Sequence, residues 1–161
     1  MAASSPHEKA HDGNHRASGH YRRLLVMIAL SFAVMYLLMY AMVDRPGNVF
    51  HNLNQIYMAG LMAAPMLLIE VLLMRSMYPD RRLNLLLAFC ALVVALVCWL
   101  GIRGQWAIGD QQFLRSMIPH HAGAVLMCRK AELDAPDLRR LCDGIIRGQE
   151  AEITQMKSRL E

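Results

Sequence analysis

The chain has 161 residues, a formal net charge of +4, 55% hydrophobic residues against 19% charged ones, and 13 methionines. A single soluble domain of that length is far less apolar, which excludes that class. Mean hydropathy is +0.25, and the excess sits in three windows, residues 24–43, 56–74 and 83–102, leaving a remainder of polar composition.

Residues 1–22 are rich in Ser, Gly, His and charge and read as a disordered cytoplasmic tail. Its His7, His11, His15 and His20 read as incidental, with weak metal capture as the alternative. Each apolar window has about the 20 residues that a helix needs to cross a bilayer with its backbone groups paired internally. The first holds one polar side chain, Ser31, and no small-residue cleavage site precedes Asp44 and Arg45, so it reads as a retained anchor. The second carries Pro65 and Glu70. Glu70 is expected to face another helix or to reach toward Arg75 or the headgroups. The third has only Asn84. Residues 23–104 thus form a three-helix transmembrane region.

Orientation follows from basic residues near the helix ends. Lys9, Arg16, Arg22 and Arg23 precede the first window and Arg75, Arg81 and Arg82 lie between the second and third, whereas the loop after the first has only Arg45. The N-terminus is therefore expected in the cytoplasm, with residues 44–55 and everything after 102 outside, in the periplasm of a bacterial inner membrane. The positive charge mostly reflects this asymmetry, so no nucleic-acid partner is expected. Met35, Met39 and Met42, and likewise Met58, Met62 and Met66, share helix faces; packing explains them, and a thioether path for Cu(I) is the sharper reading. Cys90 and Cys98 fall inside the third span and read as lipid-facing or packing residues.

After Gly109 the apolar pattern takes helical periodicity. Asp110 is placed to cap a helix to about Glu132, "LDAPD" makes a turn, and Pro136 starts a second helix to about Leu160. Residues 105–161 thus read as an antiparallel αα-hairpin. Folded about residue 135, it sets His121 opposite Gln149 and Met117 opposite Ile153, with Glu152 beside Gln149. The inward stripes carry sulfur, imidazole and amide groups. Thioether with imidazole favours copper, as Cu(I) or Cu(II), and no zinc-finger or HExxH spacing occurs. The competing reading makes Met117, Met127 and Met156 core fillers. Pro119 removes a backbone donor, frees the Arg115 carbonyl and is expected to bend the helix beside His120 and His121. Three fates are open to Cys128 and Cys142: a disulfide stapling the hairpin, two buried thiols, or copper ligands. His51, in the short loop, is not expected to ligate.

The stretch "FLRSMIPHHAGAVLMCRKAEL" with "LRRLCDGIIRGQEAEITQMKSRL" resembles the domain-of-unknown-function 305 family, a ferritin-like helical group that includes CopM-like copper-binding proteins. The matching positions are Asp110, Phe113, Met117, Pro119, His120, His121, Ala124 and Met127, then Gln149, Glu152, Ile153 and Met156. The membrane half is similar to a membrane-anchored branch in "HYRR", "MYLLMY" and "YMAGLMAAPM", with Glu70 as a departure. The resemblance implies periplasmic copper binding with a homeostasis or resistance role.

The sequence therefore reads as all-α: three transmembrane helices followed by a ferritin-like antiparallel hairpin. Expected copper ligands are Met117, His120, His121, Met127 and Met156, with Gln149 and Glu152 orienting imidazole or completing the shell. A lone hairpin has little core, so a homodimer is expected. No enzyme is expected, because the Glu-x-x-His carboxylate pattern of di-metal oxidases is absent from the two C-terminal helices. The alternative is a structural or signalling membrane protein whose hairpin mediates oligomerisation without metal.

Overall fold

The computed structural model describes the backbone of residues 6–160 and the side chains of residues 19–160. Among these there are five α-helices and no strand: α1 (Pro6–Leu38), α2 (Leu53–Leu73), α3 (Arg81–Gly104), α4 (Asp110–Lys130) and α5 (Pro136–Ser158). Two short 3₁₀ turns, Met39–Met42 and Pro46–Asn48, lie between α1 and α2. Helix α1 begins at Pro6, inside the stretch expected to be disordered, and the side chains of His7, His11 and His15 lie outside the described residues. Three segments, Gly19–Met42, Leu53–Leu73 and Arg81–Gly104, are long and apolar enough to cross a membrane.

The chain divides into two compact units. One takes in the chain to Met35 together with Met58–Leu100. Its central element is α2, a third of whose apolar window is buried (33%), against 6% and 11% for the first and third spans. The reason is a small-residue face: Ala59, Gly60, Ala63 and Ala64 are buried and let neighbours approach closely. At Gly60 a Cβ would stand 2.7 Å from the Cys98 sulfur, which explains Cys98 as a packing residue; Cys90 is exposed. Tyr21, Leu24, Ala64, Leu67, Val71, Tyr78 and Ala91 form the core.

Asn84 and Glu70 find partners at one end of this unit. Asn84 accepts a hydrogen bond from the Tyr21 hydroxyl (2.8 Å) and donates to the Tyr78 carbonyl (2.8 Å). Asp80 caps α3 by accepting from the Arg82 and Leu83 amides at 2.9 and 3.1 Å. Glu70 accepts from the Tyr78 hydroxyl at 3.4 Å, a partner supplied by the connection to α3.

The second unit joins Tyr36–Tyr57 to Gly101–Glu161. The segment read as a plain inter-helix loop is therefore part of the C-terminal assembly. Gln105 and Ala107 adopt left-handed backbone conformations, φ 50° and 57°, and turn the chain between α3 and α4. The turn is held by the Tyr57 hydroxyl donating to the Trp106 carbonyl at 2.9 Å.

Candidate metal centre

Helix α4 starts after Gly109, with Asp110 in its first turn and not at the cap position, and ends with Arg129 and Lys130 in its last turn. Helix α5 starts with Pro136 and Asp137 and ends with Lys157. Both arrangements oppose the partial charges of the helix termini. The two helices pack along each other. Their shared core is small: Ile118, Ala122 and Ile153, flanked by Met156 and Leu160 and covered by Val43 and Phe50 from the 36–57 segment.

His121 is the buried polar group of this unit's helix pair, 9% exposed. Its Nδ1 lies 2.9 Å from the Met117 carbonyl one turn back. A carbonyl only accepts, so Nδ1 is the donor there and Nε2 is the nitrogen left to face α5. That nitrogen lies 2.8 Å from Glu152 Oε2 on α5. The sequence register set His121 against Gln149, whereas the contact is with Glu152, three residues on and on nearly the same face. Counting outward from a turn treats the helices as untilted rods and misses by up to one turn.

The turn of α4 that contains Pro119 is supported from outside the helix. The Arg115 carbonyl, left without its helical donor, receives Asn52 Nδ2 at 3.5 Å. This is the longest of three contacts of that amide, which also reaches the Phe50 carbonyl at 3.0 Å and Gln55 Oε1 at 2.9 Å. Asn52 is buried, 3% exposed, and Leu53 N donates to Gln112 Oε1 at 3.2 Å. At Gly123 a Cβ would stand 3.5 Å from the Met42 carbonyl, so the first 3₁₀ turn sits directly on α4.

An ion-pair network that the sequence did not announce locks the same three parts. The Asp44 side chain is 1% exposed; its Oδ2 takes Arg45 Nε at 2.8 Å and faces Arg129 Nη1 at 3.6 Å, and its Oδ1 accepts from Asn48. Glu150 Oε1 bonds both Arg45 (3.0 Å) and Arg129. Burial pushes the Asp44 carboxyl upward, but hydrogen bonds from Arg45 and Asn48 and the two guanidinium charges outweigh it and hold it below the usual carboxylate range. Asn48 is itself buried, and its Oδ1 has no protein partner.

The remaining expected ligands are placed as follows. Met117 and Met156 are half-buried, and Met156 lies against the Ile118, Ala122 and Ile153 cluster. His120 is exposed, its ring centroid 6.0 Å from that of His121. Met127 is 56% exposed and Gln149 is half-buried. Cys128 and Cys142 form a disulfide with Cα atoms 5.2 Å apart, so in this form neither offers a thiolate. His51 is held by Tyr36, whose hydroxyl is 3.0 Å from Nδ1 and 3.1 Å from the Tyr40 hydroxyl. Among the described residues no three His, Cys, Asp or Glu side chains converge.

Residues 103–160 match the family model described as Domain of unknown function (DUF305). An uncharacterized protein of Acanthamoeba polyphaga mimivirus is 30% identical over 141 residues, which is 86% of this chain and 91% of that protein. The chain belongs to the DUF305 family. The family domain thus comprises α4, α5 and the end of α3, and the likeness to the viral protein extends well beyond it into the apolar helices. No solved structure matches.

Proposed function

We propose that the chain is a membrane-anchored copper-binding protein of copper homeostasis or resistance, multi-pass in a bacterial inner membrane, with α4 and α5 forming a periplasmic, ferritin-like antiparallel hairpin. The observation that carries this reading is His121. Nδ1 is anchored by a backbone carbonyl, as in a ligating imidazole, and Nε2 and Glu152 Oε2 stand side by side across the helix pair, so that an ion entering between them takes both as ligands. Met117 precedes His121 by one turn and Met156 follows Glu152 by one turn. In opposed helices these two thioethers share a level next to the imidazole and carboxylate. Nitrogen, oxygen and two soft sulfurs make a donor set suited to copper in either oxidation state. His120, Met127 and Gln149 surround this set as outer ligands or orienting groups.

Two features support the topology. Residues 36–57 and 101–161 belong to one compact unit although α2 and α3 lie between them in sequence, as required if both helices cross the membrane and return the chain to the same side. The disulfide suits an oxidising compartment. The outer face of α5, with exposed Leu138 and Leu141 and open space beside Gly144 and Gly148, fits a second copy of the chain, which makes a homodimer.

The test is copper titration of the full chain in detergent with its disulfide intact. One saturable site is expected, weakened at least tenfold both by H121A and by M117A/M156A. Absence of saturable binding, or indifference to both variants, refutes the site.

A further inference from the structure

The Cys128–Cys142 bond differs from a buried structural bridge in its surroundings. Both cysteines are only half-buried. Together with Ala131, Leu133, Arg139 and Asp143 they line an open concavity of roughly 350 Å³. The Arg139 guanidinium is fixed in that wall by donating to the Leu133 carbonyl at 2.7 Å and the Asp134 carbonyl at 2.8 Å. Val125, about one turn before Cys128, is fully buried, and the cluster of Ile118, Ala122 and Ile153 lies about three helical turns along α5 from Cys142.

We propose that this disulfide, at the mouth of the Arg139-walled concavity, covers a second, soft-metal site that a dithiol reductant opens and whose two thiolates then hold one Cu(I). A thiolate of the reductant attacks one sulfur, forms a mixed disulfide and expels the other cysteine as thiolate; the reductant's second thiol resolves that bond. The reductant leaves as a disulfide, having supplied two electrons, and Cys128 and Cys142 are both reduced. Arg139 favours the incoming and expelled thiolates, partly offset by Asp143 in the same wall. Cu(I) then binds both sulfurs and releases the two thiol protons.

The donor count decides the metal class. Thiolates select soft ions, and Cα atoms 5.2 Å apart let two cysteine side chains meet around one ion. Zinc requires four donors, and among the described residues no third His, Cys, Asp or Glu joins such a group. The inference does not rest on the His121 reading, which concerns the oxidised chain.

The experiment compares the full chain in detergent, oxidised and after anaerobic reduction with the reductant removed, titrated with Cu(I) against a chromogenic Cu(I) chelator. Reduction under native conditions is expected to add one equivalent of Cu(I) per chain. C128S, C142S and iodoacetamide treatment of the reduced wild type should each remove it, and the alkylated protein guards against variants that fail to fold. Equal stoichiometry in the two redox states, an added equivalent that survives alkylation, or a disulfide that a dithiol opens only in denaturant overturns the proposal. Binding only in the reduced chain supports it while refuting the His121 site, so the two readings fail separately.

Discussion

Asp44→Asn tests whether the ion-pair network fastens the 36–57 segment onto α4 and α5. The Asp44 side chain is 1% exposed, but its cationic partners Arg45 and Arg129 are 53% and 43% exposed. Removing one partner of a fully buried pair costs about 3–5 kcal/mol, because a buried charge is left alone. Here both guanidinium groups regain water, and the substituted amide still accepts from Asn48. The expected loss is therefore about 2 kcal/mol, below the buried limit and above the ~0–1 kcal/mol of an exposed pair. Glu150→Gln, which touches the same arginines from a side chain 37% exposed, should cost less. The assay is hydrogen exchange of residues 39–57 in the full chain, with denaturant unfolding for the global value. The pH dependence has a definite sign. A carboxyl held low in the folded state stabilises it above its unfolded pKa of about 4, and this contribution fades as pH falls through the lower folded value. The difference between wild type and D44N should stay flat from pH 8 to about pH 5 and shrink below about pH 4. A loss under 0.5 kcal/mol, or a difference that already collapses near pH 6, would refute the reasoning.

Gly60→Ala should destabilise the apolar unit by about 1–3 kcal/mol, since the new methyl meets the Cys98 sulfur, and G60A/C98A should recover most of that; an unfolding cycle showing no coupling contradicts the packing account. Ala107→Gly should be neutral to stabilising by about 1 kcal/mol, because the left-handed conformation penalises a Cβ, whereas Ala→Gly inside α4 at Ala122 should cost about 1 kcal/mol; a loss at residue 107 as large as at residue 122 argues against the turn.

What the sequence revealed follows the range of the forces involved. Apolar length made the three spans readable, and Asn84 and Glu70 stood out as polar residues needing partners. Their partners did not, because Tyr21 reaches Asn84 across 63 positions and Tyr78 serves Glu70 from a connection with no periodicity. In the C-terminal helices the period of 3.6 put His121 on an inward stripe, and the symmetric cysteines allowed the disulfide as one of three fates. The same counting chose Gln149 where the contact is Glu152, since rotation and tilt of a helix are set by the side chains it packs against. The Asp44 network was invisible because Arg45 and Glu150 are 105 positions apart and each, read alone, is an ordinary surface charge. Pro119 lay between these cases. The freed Arg115 carbonyl was foreseeable, but its donor, Asn52, belongs to a segment that the sequence read as a connector.

That segment bears on how the protein is made. Its Val43, Phe50, Asp44 and Asn52 leave the ribosome before α2 and α3, while their partners on α4 and α5 emerge afterwards. If the apolar helices are membrane spans, the two halves of this unit meet only when both spans have inserted. A chain in which one span fails leaves Ile118 and Ala122 uncovered and Asp44 without Arg129. On that topology, completion of the C-terminal unit reports correct insertion of the membrane segment.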